Sequence, residues 1–398
     1  MERIYTHARL LGDRHKSALM LDDTGVVEMI VPMHDLGEIP AGTEVVNLNG
    51  DWVSLGGLDL QINGALGLPF PEVQATDGDK LDKIGQLLWD QGVNGYCPTI
   101  VTTSVENFRR SLQVLRQYQH KQPQNCPQNI AQILGLHLEG PFLTPKKRGA
   151  HPEQFLQPLS LDTVKNLLAH ETDWDAVAII TLAPELDPAG DAVAYLRSRN
   201  VTVSLGHSLA TADQANQAFE AGASMVTHAF NAMPTLHHRE PGMLGAALTY
   251  DGVHCGFIAD GQHICRTMLQ LLLRSGGSSN NSDRGLFLVS DALSPLGLPD
   301  GTYPWDDRQI TVTHGTARLP DGTLSGTTLP LLDGVKNLVD WKLCGAETAI
   351  ALATVAPYVA INQPTEITGR PITHCLRWRQ MGQILQWTRL TESSHPNP

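Results

Sequence analysis

VTVSLGHSLATADQANQAFEAGASMVTHAF, residues 201–230, is the stretch that decides the fold. It opens on a β-branched apolar run, Val201–Leu205, which breaks at Gly206-His207-Ser208. A helical pattern follows over Thr211–Ala221, and a second apolar run starts at Met225 and ends against His228. Strand, helix, strand within thirty residues is a βα unit, and such units imply parallel strands. Each of the two strands also ends on a histidine.

Outward from this unit the same alternation recurs. Gly95–Val101 precedes a helical pattern at Val105–Tyr118, and Ile133–Leu138 precedes a loop. Val177–Leu182 precedes Ala189–Arg199, His254–Ala259 precedes Ile264–Leu273, and Leu286–Val289 follows. More than six units within roughly 250 residues favour a closed barrel over an open sheet. The expected fold class is therefore α/β, a distorted (β/α)8 TIM-like barrel over residues 56–360. Both ends of the chain read differently. Ala18–Leu21, Val26–Val31 and Glu44–Leu48 at one end, and Thr373–Arg379 and Gln383–Arg389 at the other, are short strands between turns. Residues 1–55 and 361–398 are expected to join in a small β-domain. Gln309–Thr313 and Thr316–Leu319 mark a β excursion near 304–320, and Ser275–Asp283 reads as a polar loop.

Composition bounds the function. Of 398 residues 41% are hydrophobic and 17% charged, apolar enough for a large core and too apolar for a disordered chain. Lys and Arg total 28 against 41 Asp and Glu, a net charge of −13. Nucleic acid is an unsuitable partner for so acidic a chain. Six cysteines at 97, 126, 255, 265, 344 and 375, without CxxC spacing, indicate reduced thiols. MERIYTHARLLGDRHK lacks the apolar core of a secretory signal, and no apolar run reaches the roughly 18 residues of a membrane helix. A soluble cytoplasmic protein with no membrane partner is expected.

Polar residues collect where the strands end: His137 and Glu139, His207, His228, Asp260 with His263, and Asp291. In a barrel of this class those ends converge on one face, which carries the active site. Glu139, His207 and His228 supply one carboxylate and two imidazoles from three strand ends, a ligand set for Zn²⁺. Singly, each is an ordinary hydrogen-bonded residue; together they point to a metal. His137, sharing a face with Glu139, is the rival ligand, read here as packing or support. Asp291 is suited to taking a proton from water and returning it to a leaving group. Its alternative role is capping a helix N-terminus.

GLHLEGPFL (135–143), SLGHSLA (204–210), THAFNAM (227–233), REPGMLG (239–245), ADGQHI (259–264) and VSDAL (289–293) occur in this order. Together they resemble the N-acetylglucosamine-6-phosphate deacetylases of the amidohydrolase superfamily. TLAPE (181–185) and GTLSGTT (322–328) are similar to further family segments. The resemblance runs from about Gly56 to about Val335. It implies a barrel with a small β-sandwich built from both termini, and hydrolysis of the acetamide of N-acetyl-D-glucosamine 6-phosphate to glucosamine 6-phosphate and acetate. It implies Glu139, His207 and His228 as metal ligands and Asp291 as catalytic acid/base. It further implies that His151 meets the acetamide and that Ala150, Asn231, Ala232 and Leu324, Ser325 and Gly326 adjoin the substrate. Arg239 and His263 then contact the phosphate, Arg239 from the neighbouring subunit of a homodimer. The alternative for Arg239 is a surface ion pair with Glu240.

Departures qualify what the resemblance implies. Many amidohydrolases bind a second metal through His-x-His after the first strand; here Gln61 and Asn63 stand there. Amides are weak ligands, so one divalent ion per subunit is expected, Zn²⁺ first and Fe²⁺ or Mn²⁺ as alternatives. Leu66–Phe70 replaces a glycine-rich stretch, and TGRPITHCLRWRQMGQILQWTRL (368–390) lacks the C-terminal run often found in these enzymes. Two rivals remain: a deacetylase of a related sugar phosphate such as the galactosamine epimer, and a non-catalytic sugar-phosphate binder.

Overall fold

The computed structural model describes residues 3–122, 129–168, 170–276 and 285–391. Eight parallel strands run around a nearly closed barrel: Gly57–Ile62, Val93–Val101, Leu136–Glu139, Val177–Leu182, Thr202–Leu205, Met225–Val226, His254–Phe257 and Gly285–Leu288. Helices lie between most of them, as at Gly78–Asp90, Val105–Lys121, Asp191–Ser198 and Ala212–Glu220. Closure is made just past the last strand. The Asp291 amide donates to the Gln61 carbonyl at 2.9 Å, and the Asn63 amide donates to the Ala292 carbonyl at 2.7 Å. The Asp59 carboxylate accepts from the Ser290 amide at 3.1 Å, fastening the first strand to the last from inside.

Several boundaries differ from the sequence reading. The run at Ile133–Leu138 is two pieces, Gln132–Ile133 and Leu136–Glu139, because Gly135 takes φ of 146° between them. Met225–Ala229 pairs only over Met225–Val226, since His228 already has φ of 29°. The β excursion is a four-stranded antiparallel sheet, Gly301–Trp305, Arg308–Thr313, Thr316–Arg318 and Leu324–Thr327. Asp291 caps no helix; an irregular turn follows it. The polar loop at Ser275–Asp283 lies partly, and Cys126 wholly, outside the described residues.

The terminal segments combine in one seven-stranded sheet: Arg3–Leu10, Lys16–Leu21, Val27–Pro32, Glu44–Asn47, Trp52–Leu55, Cys375–Met381 and Ile384–Arg389. Arg3–Leu10 turns at His7, where φ is 57°. Its first half pairs with Glu44–Asn47 and its end with Trp52–Leu55. The inner side chains of the barrel, Leu58, Leu60, Cys97, Ile179 and Phe287, join Val27, Val53 and Leu55 of this sheet in one buried cluster. The barrel interior is thus a packed core. Cys97, Cys255, Cys265, Cys344 and Cys375 carry free thiols. No helix among the described residues is long and apolar enough to cross a membrane.

Candidate active site

Four titratable side chains sit at or just beyond the C-terminal ends of barrel strands. Glu139 is the last residue of its strand, His207 and His228 each follow theirs by two positions, and Asp291 follows by three. All four are buried. His207, His228 and Asp291 have φ of 49°, 29° and 48°, a left-handed turn that side chains other than glycine seldom take. Such turns swing the chain off the strand axis while leaving the side chain in the barrel mouth. Residues held in sparsely populated backbone regions cluster at functional sites.

Glu139, His207 and His228 each present one ligand atom, and those atoms lie within 4.8 Å of one another. Glu139 Oε1 is 3.1 Å from His207 Nε2 and 3.2 Å from His228 Nε2, and the two imidazole nitrogens are 3.0 Å apart. The Lys147 carbonyl lies 2.9 Å from His207 Nδ1. A carbonyl only accepts, so Nδ1 carries the hydrogen and Nε2 points a lone pair at the other two groups. His228 Nδ1 is buried without a partner among the described residues. Converging lone pairs from one carboxylate and two imidazoles fit a divalent cation such as zinc. Burial would raise the Glu139 carboxyl, but the adjoining His207 and His228 imidazoles hold it well below the usual range.

His137 is not part of this group. Its Nδ1 meets the Leu60 carbonyl at 2.9 Å and its Nε2 meets Thr181 Oγ1 at 2.7 Å, so both nitrogens are used. Thr181 Oγ1 continues to Thr227 Oγ1 at 2.7 Å, which meets Ser204 Oγ at 2.6 Å. This chain of polar groups joins strands beneath the cluster. Burial pushes His137 down to about 4 and leaves it neutral.

Gln61 and Asn63 turn their amides toward carboxylates. Gln61 Nε2 donates to Glu139 Oε1 at 3.1 Å and to Asp291 Oδ1 at 3.2 Å. Asn63 Nδ2 donates to Asp291 Oδ1 at 2.8 Å. Burial, and then the neighbouring Glu139 charge, push the Asp291 carboxyl up to about 6.

These groups open into a cavity of about 720 Å³. Ala150, His151, Asn231, Ala232, His263, Leu324 and Ser325 line it, as do Asn63, Glu139, His207, His228 and Asp291. Gly326 is adjacent in the chain. The His151 ring stands edge-on to His207 at 4.5 Å between centroids, with Thr102 Oγ1 3.0 Å from its Nδ1. Burial and then His207 push His151 down to about 3, so the ring is neutral, and the Thr102 amide donates to its Nδ1 at 3.3 Å, which leaves the hydrogen on Nε2. His263 Nδ1 is 2.7 Å from Asp260 Oδ2, which gives Asp260 its part. Arg239 does not reach the cavity. It is exposed, and among the described residues it makes no ion pair with Glu240 or any other; its backbone amide donates to His237 Nδ1. Pro69 and Pro71, in and after the apolar replacement at Leu66–Phe70, form part of the rim.

Some lining residues gave no sequence signal. Lys146, Trp305, Asp306 and Asp307 enter from a loop and from the excursion sheet. Glu185, in TLAPE, lies behind the wall. It accepts from Ser208 Oγ at 2.7 Å and also from the Leu209 amide and the Thr144 hydroxyl, tying two strand-end loops together.

No protein-family model matches the chain. It is similar to the N-acetylglucosamine-6-phosphate deacetylase of Bos taurus, 36% identical over 309 residues that span 76% of this chain and 72% of that protein. It is 33% identical over 302 residues to the N-acetylgalactosamine-6-phosphate deacetylase of Escherichia coli, 75% of each chain. A crystal structure of N-acetylglucosamine-6-phosphate deacetylase from Pasteurella multocida superposes with a TM-score of 0.81 at 26% identity, covering 98% of this chain and 100% of that one.

Proposed function

The chain belongs to the N-acetylglucosamine-6-phosphate deacetylase family of the amidohydrolase superfamily, and from that premise we propose that it hydrolyses N-acetyl-D-glucosamine 6-phosphate to D-glucosamine 6-phosphate and acetate. The observation that carries this reading is the meeting of Glu139, His207 and His228 within 4.8 Å at the mouth of a cavity that Asp291 also lines. In this reading Glu139, His207 and His228 hold one divalent ion, Zn²⁺ in preference to Fe²⁺ or Mn²⁺. Such an ion supplies Lewis acidity, polarising the amide carbonyl and making water acidic near neutral pH. The bonds from Gln61 and Asn63 to the two carboxylates support a single ion, because those amides stand where a second would need ligands.

Asp291 takes the proton of the attacking water and delivers it to the amine, which is too basic to leave unprotonated. Gln61 and Asn63 hold the Asp291 carboxylate for that transfer. His151, neutral, donates a hydrogen bond to the oxygen on which charge develops. Asn231, Ala232 and Leu324–Gly326 orient the sugar. His263 contacts the phosphate from within the chain. Arg239 adds its planar guanidinium from the second subunit of a homodimer, consistent with its exposure and with its making no ion pair among the described residues. The phosphorylated, charged substrate sets the reaction in the cytoplasm.

Acetate and free amine released from N-acetylglucosamine 6-phosphate test the reading, with and without a chelator and beside the unphosphorylated sugar. We expect release that the chelator abolishes, that returns with added Zn²⁺, and that strongly favours the phosphorylated sugar. Indifference to phosphate keeps the hydrolase and removes Arg239 and His263 from their role. The second reading, action on the galactosamine epimer, is favoured by the Escherichia coli relative. Running both epimers in the same assay decides between them, and no release of acetate from either overturns the proposal.

A further inference from the structure

The four-stranded excursion at Gly301–Thr327 is more than a decoration on the barrel. Its first turn carries Arg308. The guanidinium is gripped by Asp306, with Nε donating to Oδ1 at 2.9 Å and Nη2 to Oδ2 at 2.5 Å. The Asp306 backbone has φ of 50°, and the Arg308 amide donates back to its carboxylate at 3.0 Å, so the turn is tightly self-bonded. So held, Arg308 Nη2 reaches across 158 residues of sequence and donates to the Ala150 carbonyl at 2.8 Å. Ala150 also packs against the excursion's own apolar cluster, which contains Leu293, Trp305, Ile310 and Val312.

Ala150 precedes His151, and the loop between them and Arg148 is tight. The His151 amide donates to the Arg148 carbonyl at 3.1 Å, and Arg148 Nη1 donates to the His151 carbonyl at 2.8 Å. Gly149, at φ of 56°, brings this turn against the His207 ring; a Cβ there would lie 3.5 Å from His207 Cε1. The His151 backbone is thus gripped on one side by its own loop and on the other by Arg308.

We infer that Arg308 is a positioning residue: it latches the excursion sheet to the Arg148–His151 turn and so fixes His151 over the reacting centre. This rests on the role proposed for His151 above. A latch of this kind acts on geometry. Misplacement of a reacting group by about 1 Å costs up to roughly 100-fold in rate. It also ties the excursion, which supplies Trp305, Leu324 and Ser325 to the cavity, directly to the turn that carries His151.

The test is a double-mutant cycle on the metal-replete enzyme: Arg308→Ala, His151→Ala, and both together, with Arg308→Lys alongside. His151→Ala is expected to lower kcat roughly 100-fold or more. Arg308→Ala is expected to lower kcat about 10- to 100-fold, and the pair to fall no further than His151→Ala alone. Arg308→Lys keeps the charge and one donor but loses the fork, and should recover part of the loss. Far-UV circular dichroism and metal content, unchanged in all four, separate the latch from misfolding. A deleterious His151→Ala beside a silent Arg308→Ala, or losses that multiply in the pair, overturn the latch and leave the His151 role standing. A silent His151→Ala overturns both.

Discussion

At the N-terminal end of the barrel, Arg389 enters from the last strand of the small sheet and uses its whole guanidinium. Nε and Nη2 donate to the Trp89 carbonyl at 3.0 and 2.9 Å, and Nη2 also to the Val93 carbonyl at 3.2 Å. Nη1 donates to Asn94 Oδ1 at 2.8 Å and to the Thr373 carbonyl at 3.1 Å, and the group lies 3.5 Å from the Trp89 ring centroid. At the other end Glu139, His207 and His228 aim lone pairs at one another, and Asp291 sits beside Glu139 with its carboxyl pushed up to about 6 by burial and that charge. Both ends bury ionisable groups. One satisfies every donor and is a joint; the other leaves acceptors in excess and is the candidate site. A buried polar network contributes to stability when its members are satisfied, and calls for a ligand when they are not.

The contrast breaks most visibly through Asp291. Asp291→Asn keeps the shape and its place near Gln61 and Asn63 but cannot take a proton. We expect kcat to fall roughly 10²–10⁴-fold, with stability unchanged or slightly raised because one of two neighbouring buried carboxylates is gone. Steady-state kinetics and a thermal melt on the same preparation check this; full activity in the variant would remove Asp291 from the mechanism.

Arg389→Met is the mirror experiment. It strands the carbonyls of Trp89, Val93 and Thr373 at the joint and should cost roughly 3–5 kcal/mol in unfolding free energy. The kcat per folded, metal-loaded molecule should stay within about twofold, since the joint lies a full strand length from the cavity. A variant that unfolds in the same range as the parent while losing kcat would show that the two ends are not separable.

The site was the more legible of these two regions, and the reason is physical. A barrel strand that ends on a polar, titratable side chain breaks its apolar run there, so Glu139, His207, His228 and Asp291 are visible as interruptions. The joint shows no such break. Arg377, Arg379 and Arg389 alternate with apolar residues in LRWRQMGQILQWTRL like those of any edge strand, and only the fold shows that Arg389 turns inward. The first barrel strand hid for the opposite reason. GLDLQI is buried throughout, so its polar Asp59 and Gln61 interrupt the apolar pattern without marking an end. Asp59 is sheltered enough for burial to push it up to about 7, with the Ser290 amide as partner. The helix at Ala346–Thr354 is apolar on nearly every side, so no polar stripe marks it in the sequence. Ala150 and Leu324–Ser325 came only through the resemblance, because their meeting depends on the excursion sheet folding back over the barrel. Arg308 carried no signal of any kind.

The smallest expected effect sharpens the comparison within a few residues of the site. Thr211 caps the helix Ala212–Glu220, its side chain accepting from the Gln214 amide while Gln214 accepts from the Thr211 amide. It stands four positions past His207. Were closeness in sequence what mattered, Thr211→Ala would disturb the histidine. The contacts say otherwise: His207 is held by the Lys147 carbonyl at its Nδ1, and the intervening Ser208 and Leu209 are pinned by Glu185. The cap therefore belongs with Arg389 among groups that stabilise without acting. Thr211→Ala should cost about 1 kcal/mol, a fall in Tm of about 2 °C for a chain of this size, with kcat/KM unchanged. A loss of kcat/KM beyond about threefold would mean that the helix cap, and not Glu185, sets where His207 lies.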